Sequence, residues 1–140
     1  MNRTAILTLL AILSLSACDS GSEPEEQFRD LDGLYVHSET FQGQPFGTNR
    51  LTLDIPSTSS GTFQLGPRSS YVATRNDVEV RSDNISGTGT YDPPSLTITF
   101  SSTGSLFDGQ TFTGSTSEFS NDIRGSMSGG GSFVFSRRGD

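Results

Sequence analysis

Short alternations of apolar and polar residues run from about Phe28 almost to the end of the chain. Leu51, Leu53 and Ile55 alternate with Arg50, Thr52 and Asp54, and Val78 and Val80 with Asp77, Glu79 and Arg81. Leu96, Ile98 and Phe100 alternate with Thr97, Thr99 and Ser101, and Phe133 and Phe135 with Ser132 and Ser136. A period of two with one apolar face marks half-buried antiparallel strands. Gly43–Gly47, Asp92-Pro93-Pro94 and Gly129-Gly130-Gly131 separate these segments and supply turn chemistry. The pattern predicts strands near 33–39, 49–55, 61–66, 69–74, 77–82, 84–91, 95–101, 110–117, 121–128 and 132–137. Some of the short middle ones are expected to merge, leaving eight or nine. Short consecutive strands without a long crossover predict an all-β, antiparallel up-and-down meander closing into a small barrel, which would remove exposed sheet edges. A β-sandwich is the alternative.

The inner face is read from the apolar positions, among them Leu34, Val36, Leu51, Leu53, Val78, Val80, Ile98 and Phe135. On that parity Tyr35, His37 and Glu79 point outward. Gly87, Gly89, Gly114 and Gly125 share the inward parity. They are either bend points or gaps lining a cavity, and strand glycines usually mark kinks or bulges. A barrel of about eight strands is filled by its own side chains or holds one small ligand. Phe63, Tyr91, Phe100, Phe112 and Met127 are the candidate ligand-binding residues of such an interior.

One apolar run breaks the pattern. Ala5–Leu15 follows a short basic start with Arg3 and ends in Leu15-Ser16-Ala17-Cys18, the layout of a secretory signal. It is too short to span a bilayer, which takes about 20 apolar residues. The four residues resemble the lipobox of bacterial lipoproteins. That resemblance implies removal of residues 1–17 and lipidation of Cys18, the only cysteine, at the new N-terminus. Residues 18–27 then form the lipidated cysteine and an acidic linker, expected to be disordered because 19–27 lack any apolar side chain. Residues 28–138 form the barrel domain. The implied location is the bacterial cell envelope, on the outer membrane or cell surface. Asp19 leaves the choice of membrane open, since an aspartate there resembles the inner-membrane retention signal of enterobacterial lipoproteins.

Composition narrows the function. The 140 residues carry a net charge of −7, and all 16 acidic residues follow Cys18. An acidic chain without a basic cluster is a poor partner for nucleic acid or anionic headgroups. The complete absence of lysine rules out a P-loop lysine, a Schiff base and a Ser–Lys pair. A single cysteine forbids an intrachain disulfide. His37, the only histidine, reads as a surface residue: no G-x-S-x-G elbow is present, and no second histidine or cysteine could share a metal. Asp30-Leu31-Asp32-Gly33 lacks the further acids of a calcium loop and reads as a polar approach to the first strand. Glu39, Glu79 and Glu118 show no spacing that makes them a catalytic pair. Neither catalytic residues nor a metal or cofactor is expected.

Gly33-Leu34-Tyr35 on the first strand and Arg137-Arg138 on the last resemble the calycin group, lipocalins and their small bacterial relatives. There a Gly-x-Trp opens strand one and an arginine of the closing strand packs over the ring. The resemblance implies a ligand-holding barrel in which Tyr35 replaces the tryptophan and Arg137 or Arg138 provides a cation–π contact. The leading expectation is thus a membrane-anchored, non-enzymatic binding module for a small apolar or amphipathic ligand. The alternative is an envelope interaction or inhibitor protein with a packed core, binding a protein partner through loops such as Phe41–Phe46. A carboxylate-based hydrolase is a distant third. A cavity of a few hundred cubic ångströms would favour the first and a filled interior the second.

Overall fold

The computed structural model describes residues 28–43 and 45–139. The expected signal segment (1–17), Cys18 and the expected linker lie outside the described residues. The fold is all-β: β1 (Leu31–Phe41), β2 (Gly47–Thr58), β3 (Gly61–Gln64), β4 (Ser70–Arg75), β5 (Val78–Asn84), β6 (Gly87–Asp92), β7 (Ser95–Phe100), β8 (Thr111–Ser117), β9 (Ser120–Met127) and β10 (Ser132–Arg138). Every span expected from the alternation is a strand, and none has merged with its neighbour.

All ten belong to one antiparallel sheet in the order β3-β6-β7-β8-β9-β10-β1-β2-β4-β5, curled into a half-barrel. From β6 to β10 the chain is a meander, and β10 continues directly onto β1, with Tyr35 opposite Arg137. First and last strands meet, as barrel closure requires, but the barrel expected from the sequence does not close: β3 and β5 remain as edges of the sheet. The turns explain the tight connections. Asn76 and Asp77 both have positive φ, 49° and 62°, and join Arg75 to Val78 in a two-residue hairpin of the kind that matches strand twist. Pro93-Pro94, with a cis bond between them, join Asp92 to its ladder partner Ser95.

The chain departs from a plain meander between β5 and β6, which are not neighbours in the sheet, and again after β2. This strand pairs with β4 through Gly47–Thr52, but β3 crosses to the far edge and pairs with β6. The curl is tied at Asp54. Its backbone oxygen accepts from the Gly66 N–H at 2.7 Å, and its backbone N–H donates to the Ser69 hydroxyl at 2.9 Å.

The outer strands of the sheet are β3 and β5, and both are poor templates for a further strand. β3 has four residues. β5 carries a bulge, because Ala73 pairs with Arg81 and Thr74 with Glu79, leaving Val80 over. The same register puts Arg81 and Asp83 on the face of the buried Ala73 and Tyr71, where they form an ion pair at 2.7 Å. Shortness, a bulge and inward charge are the usual protections of an open edge.

Two assignments of the inner face are corrected. Val78 and Val80 are 62% and 58% exposed, because nothing packs on the bulged outer strand. On β1 the parity is the reverse of that expected. Tyr35 faces the core opposite Leu53 and is 4% exposed, while Leu34 and Val36 lie half-buried on the outer face. Regular alternation places Leu31, Tyr35 and His37 on one side of β1, and the pairing of Tyr35 with Leu53 and of His37 with Leu51 turns that side toward the core. The extra residue at the irregularity between Leu31 and Gly33 lies on β2. A phenol buries its ring well while keeping a polar tip at the rim, so its polarity is a poor guide to its side.

Candidate binding surfaces

The five interior candidates converge on one core. Phe63, Tyr91, Phe100, Phe112 and Met127 are 6%, 0%, 1%, 0% and 4% exposed and belong to a single cluster of buried side chains. Phe112 and Met127 face each other on β8 and β9. The edge of Phe112 meets Phe135 at 5.3 Å between ring centroids and 85°, a favoured aromatic geometry.

The inward glycines make room for these rings. The Phe63 ring occupies the place where a Cβ of Gly89, its ladder partner, would be. A Cβ on Gly114 or Gly125 would come within 2.6–2.7 Å of the Phe112 ring carbon Cζ. The glycines therefore neither line an open space nor serve only as bends. The volume beside Gly89, Gly114 and Gly125 is filled by the rings of Phe63 and Phe112, and that beside Gly87 by the Thr99 carbonyl and Leu65.

Both ends of the half-barrel are stoppered. At the end where β1 finishes, the segment between β7 and β8 folds over the opening. Phe107 there lies 5.3 Å from the Tyr71 ring, edge-on, and 5.8 Å from Phe100, and the Gly104 carbonyl accepts from the Arg81 guanidinium. At the end where β1 starts, the Tyr91 hydroxyl donates to the Arg29 carbonyl at 3.1 Å and also reaches Thr116 Oγ1. A notch lined by Arg29, Tyr35, Asn121, Asp122 and Arg137 remains here, with a volume of about 20 Å³. That is room for a single water.

The groups around this notch are mutually satisfied. Burial pushes the Tyr35 phenol above its ordinary value. A hydrogen bond donated by the Ser136 hydroxyl at 2.8 Å holds the Asp122 carboxyl below the usual range, with burial opposing it. Arg137 lies across the bare Cα of Gly33 and pairs with Asp32 at 3.5 Å. The strand neighbours named by the calycin resemblance are adjacent, and the ion pair of the guanidinium is made with Asp32.

His37 is not a free surface residue. Its side chain is 14% exposed, and its ring lies 4.7 Å from Phe133 and 5.8 Å from Phe135. Nδ1 is 3.0 Å from the Val134 carbonyl oxygen, and Nε2 is 3.4 Å from a Glu39 oxygen. The inward parity of β1 explains this, as it does for Tyr35. No nucleophile adjoins it in these contacts. Among the described residues no group of three or more His, Cys, Asp or Glu is placed to hold a metal ion.

Val80 on β5 and Val134 in the middle of β10 are exposed, and the other exposed large apolar side chains lie at the two rims. At the far rim, where β1 ends, Phe41 and Phe46 are each 42% exposed. The Arg75 guanidinium carbon sits 5.3 Å from the Phe41 ring centroid, and the Asn76 N–H donates to the Phe46 carbonyl at 2.7 Å. Val78, opposite Arg75 in the ladder, extends the same rim. At the near rim, beside the start of β1, Phe119 at the tip of the β8–β9 hairpin is 95% exposed.

One buried polar device escaped the sequence. Asp54 is 7% exposed and receives three hydrogen bonds from Arg68: the backbone N–H and Nε at 3.2 Å on one oxygen, and a terminal nitrogen at 3.0 Å on the other. These bonds, led by the side-chain one, hold its carboxyl below the ordinary value. In the alternation Asp54 is simply an outward polar position, and nothing local announces that residues 66–69 cover it. No family model, no curated protein and no solved structure matches this chain.

Proposed function

We propose that this protein is an envelope lipoprotein, held to the membrane through Cys18, whose β-domain is a non-enzymatic interaction module for a protein partner. The observation that carries this choice is the filling of the half-barrel. Phe63 and Phe112 occupy the space beside Gly89, Gly114 and Gly125, and Phe107 and Tyr91 close the ends. A small apolar ligand inside the half-barrel would have to displace rings that are 0–9% exposed, and interiors packed in this way resist such insertion. Recognition then falls to the surface. The far rim supports it best, since Phe41, Phe46 and Arg75 are of the residue types that dominate protein interfaces. Anchoring by a diacylated cysteine is stable where one chain is not, so the module would be retained at the envelope while its rim stays free to bind.

The test is site-specific photo-crosslinking in whole cells. A photoreactive residue at Phe41 or Phe46 is expected to give one discrete adduct with a protein, and the same residue at the exposed outer-face position Ser115 none. Equal adducts at all three positions, or none at any, would count against a partner on this rim. Native mass spectrometry of the purified protein that revealed a stoichiometric lipophile would return the choice to the small-ligand reading.

A further inference from the structure

The near rim carries the most exposed aromatic ring of the protein. Phe119 is 95% exposed, at the tip of the hairpin between Ser117 and Ser120, which pair across the turn. A phenylalanine held on a tight hairpin has no neighbour to cover it. The same hairpin is fastened to the start of the domain. The Arg29 guanidinium donates to the Asn121 side-chain oxygen at 2.8 Å, and Arg29, Asp30, Ser117 and Ser120 share one small notch.

Chain length says what lies beside this rim. Cys18 is ten residues before Phe28, and ten residues fully extended span at most about 35 Å. The segment from the anchor joins the domain at Arg29, next to the Phe119 hairpin. The far rim with Phe41 lies at the other end of β1, an 11-residue strand, roughly 35 Å away at strand rise. A domain tethered by its near rim presents Phe119 to the membrane more readily than any residue of the far rim.

Charge selects the kind of surface. Asp30, Asp32, Asp92, Glu118 and Asp122 stand at the near rim against Arg29, Arg137, Arg138 and Arg124, the last paired with Asp122 at 3.5 Å. This negative balance disfavours acidic headgroups, so the contact is apolar rather than electrostatic. We infer that the β8–β9 hairpin is a membrane-contact element: Phe119 inserts among the acyl chains of a bilayer with zwitterionic headgroups and turns the far rim away from the membrane. The inference rests on the lipid anchor proposed above.

The chain has no tryptophan, so one introduced at position 119 reports alone. Full-length, lipid-modified Phe119→Trp and Phe41→Trp proteins would be reconstituted into phosphatidylcholine vesicles, with or without bromines on the acyl chains, and their binding followed by flotation. The indole emission of Phe119→Trp is expected to shift to shorter wavelength and to be quenched by the brominated lipid, with that of Phe41→Trp unaffected. Flotation of Phe119→Trp with equal emission in both vesicles would leave the anchor standing and overturn the contact. So would equal quenching in the two variants. Failure to float would overturn the anchor and the contact with it.

Discussion

The Phe63 ring rests on Gly89 so closely that a methyl group at position 89 would stand inside the ring. The two are ladder partners on β3 and β6. Phe63 is itself buried in the core, so its ring cannot swing aside without disturbing its neighbours. Gly89→Ala is expected to destabilise by about 1–3 kcal/mol through overpacking. Most of that cost should vanish in a Phe63→Leu background, giving a coupling energy measurable by urea denaturation of the four proteins. Strict additivity would mean that the two sites do not meet.

Tyr35 and Leu34 provide a second comparison. With Tyr35 buried opposite Leu53 and Leu34 on the outer face, Tyr35→Ala should cost about 3–5 kcal/mol, as truncation of a buried aromatic does. Leu34→Ala should cost about 1 kcal/mol or less, the range of substitutions away from the core. The alternation alone implies the opposite order. Equal or inverted losses in thermal melts would restore the outward placement of Tyr35.

These cases show where the sequence was legible. Strand positions followed from alternation and turn residues, because both are local. The meeting of β1 and β10, with Tyr35 opposite Arg137, followed from the expectation that the ends of the meander close on each other. The side to which Tyr35 and His37 point is set by their ladder partners Leu53 and Leu51 on β2, a register that the pattern of β1 alone does not encode. The crossing of β3 and the Asp54–Arg68 contact join segments far apart on the sheet, so they are set by the curl as a whole. The interior candidates were correctly gathered in one place, but whether the place was hollow depended on ring against glycine, a matter of tenths of an ångström.

Asp54 makes stability depend on acid. Its carboxyl titrates below the ordinary 3.8 in the folded protein, chiefly through the side-chain hydrogen bond from Arg68. The stabilisation is therefore complete above 3.8 and is lost as pH falls through the lower folded-state value. Asp54→Asn should cost about 1 kcal/mol near neutrality, since the exposed Arg68 moderates the pair, and should remove that part of the acid loss. Asp122, lowered in the same direction, will keep the remainder. An unchanged acid profile in urea titrations of the variant would show that Asp54 titrates alike in the folded and unfolded chains.

Truncation after Met127 removes β10, which pairs with β9 on one side and β1 on the other. It deletes Phe135, 0% exposed, and opens the sheet at its middle. Burial of one phenylalanine contributes about 1.5–3 kcal/mol, a large share of a small domain's margin. The truncated chain is expected to lose its β signal in circular dichroism or to aggregate on gel filtration. A folded monomer would show that the two flanking halves are independent.

Cys18→Ser is expected to abolish incorporation of a labelled fatty acid and to release the protein from membranes or leave it unprocessed. Undiminished label on the variant would remove the anchor.

The ladder between the first and last strands has a consequence for how the protein reaches its place. His37 and Val134 are in contact although 97 residues apart in sequence. A β1 that has already emerged has no β10 to pair with until the final segment follows, and contacts this distant in sequence form slowly. A chain threaded N-terminus first through an export channel would thus remain unable to complete its sheet on the near side. Under the lipoprotein reading proposed above, late closure of this kind would keep the polypeptide translocatable for as long as translocation lasts.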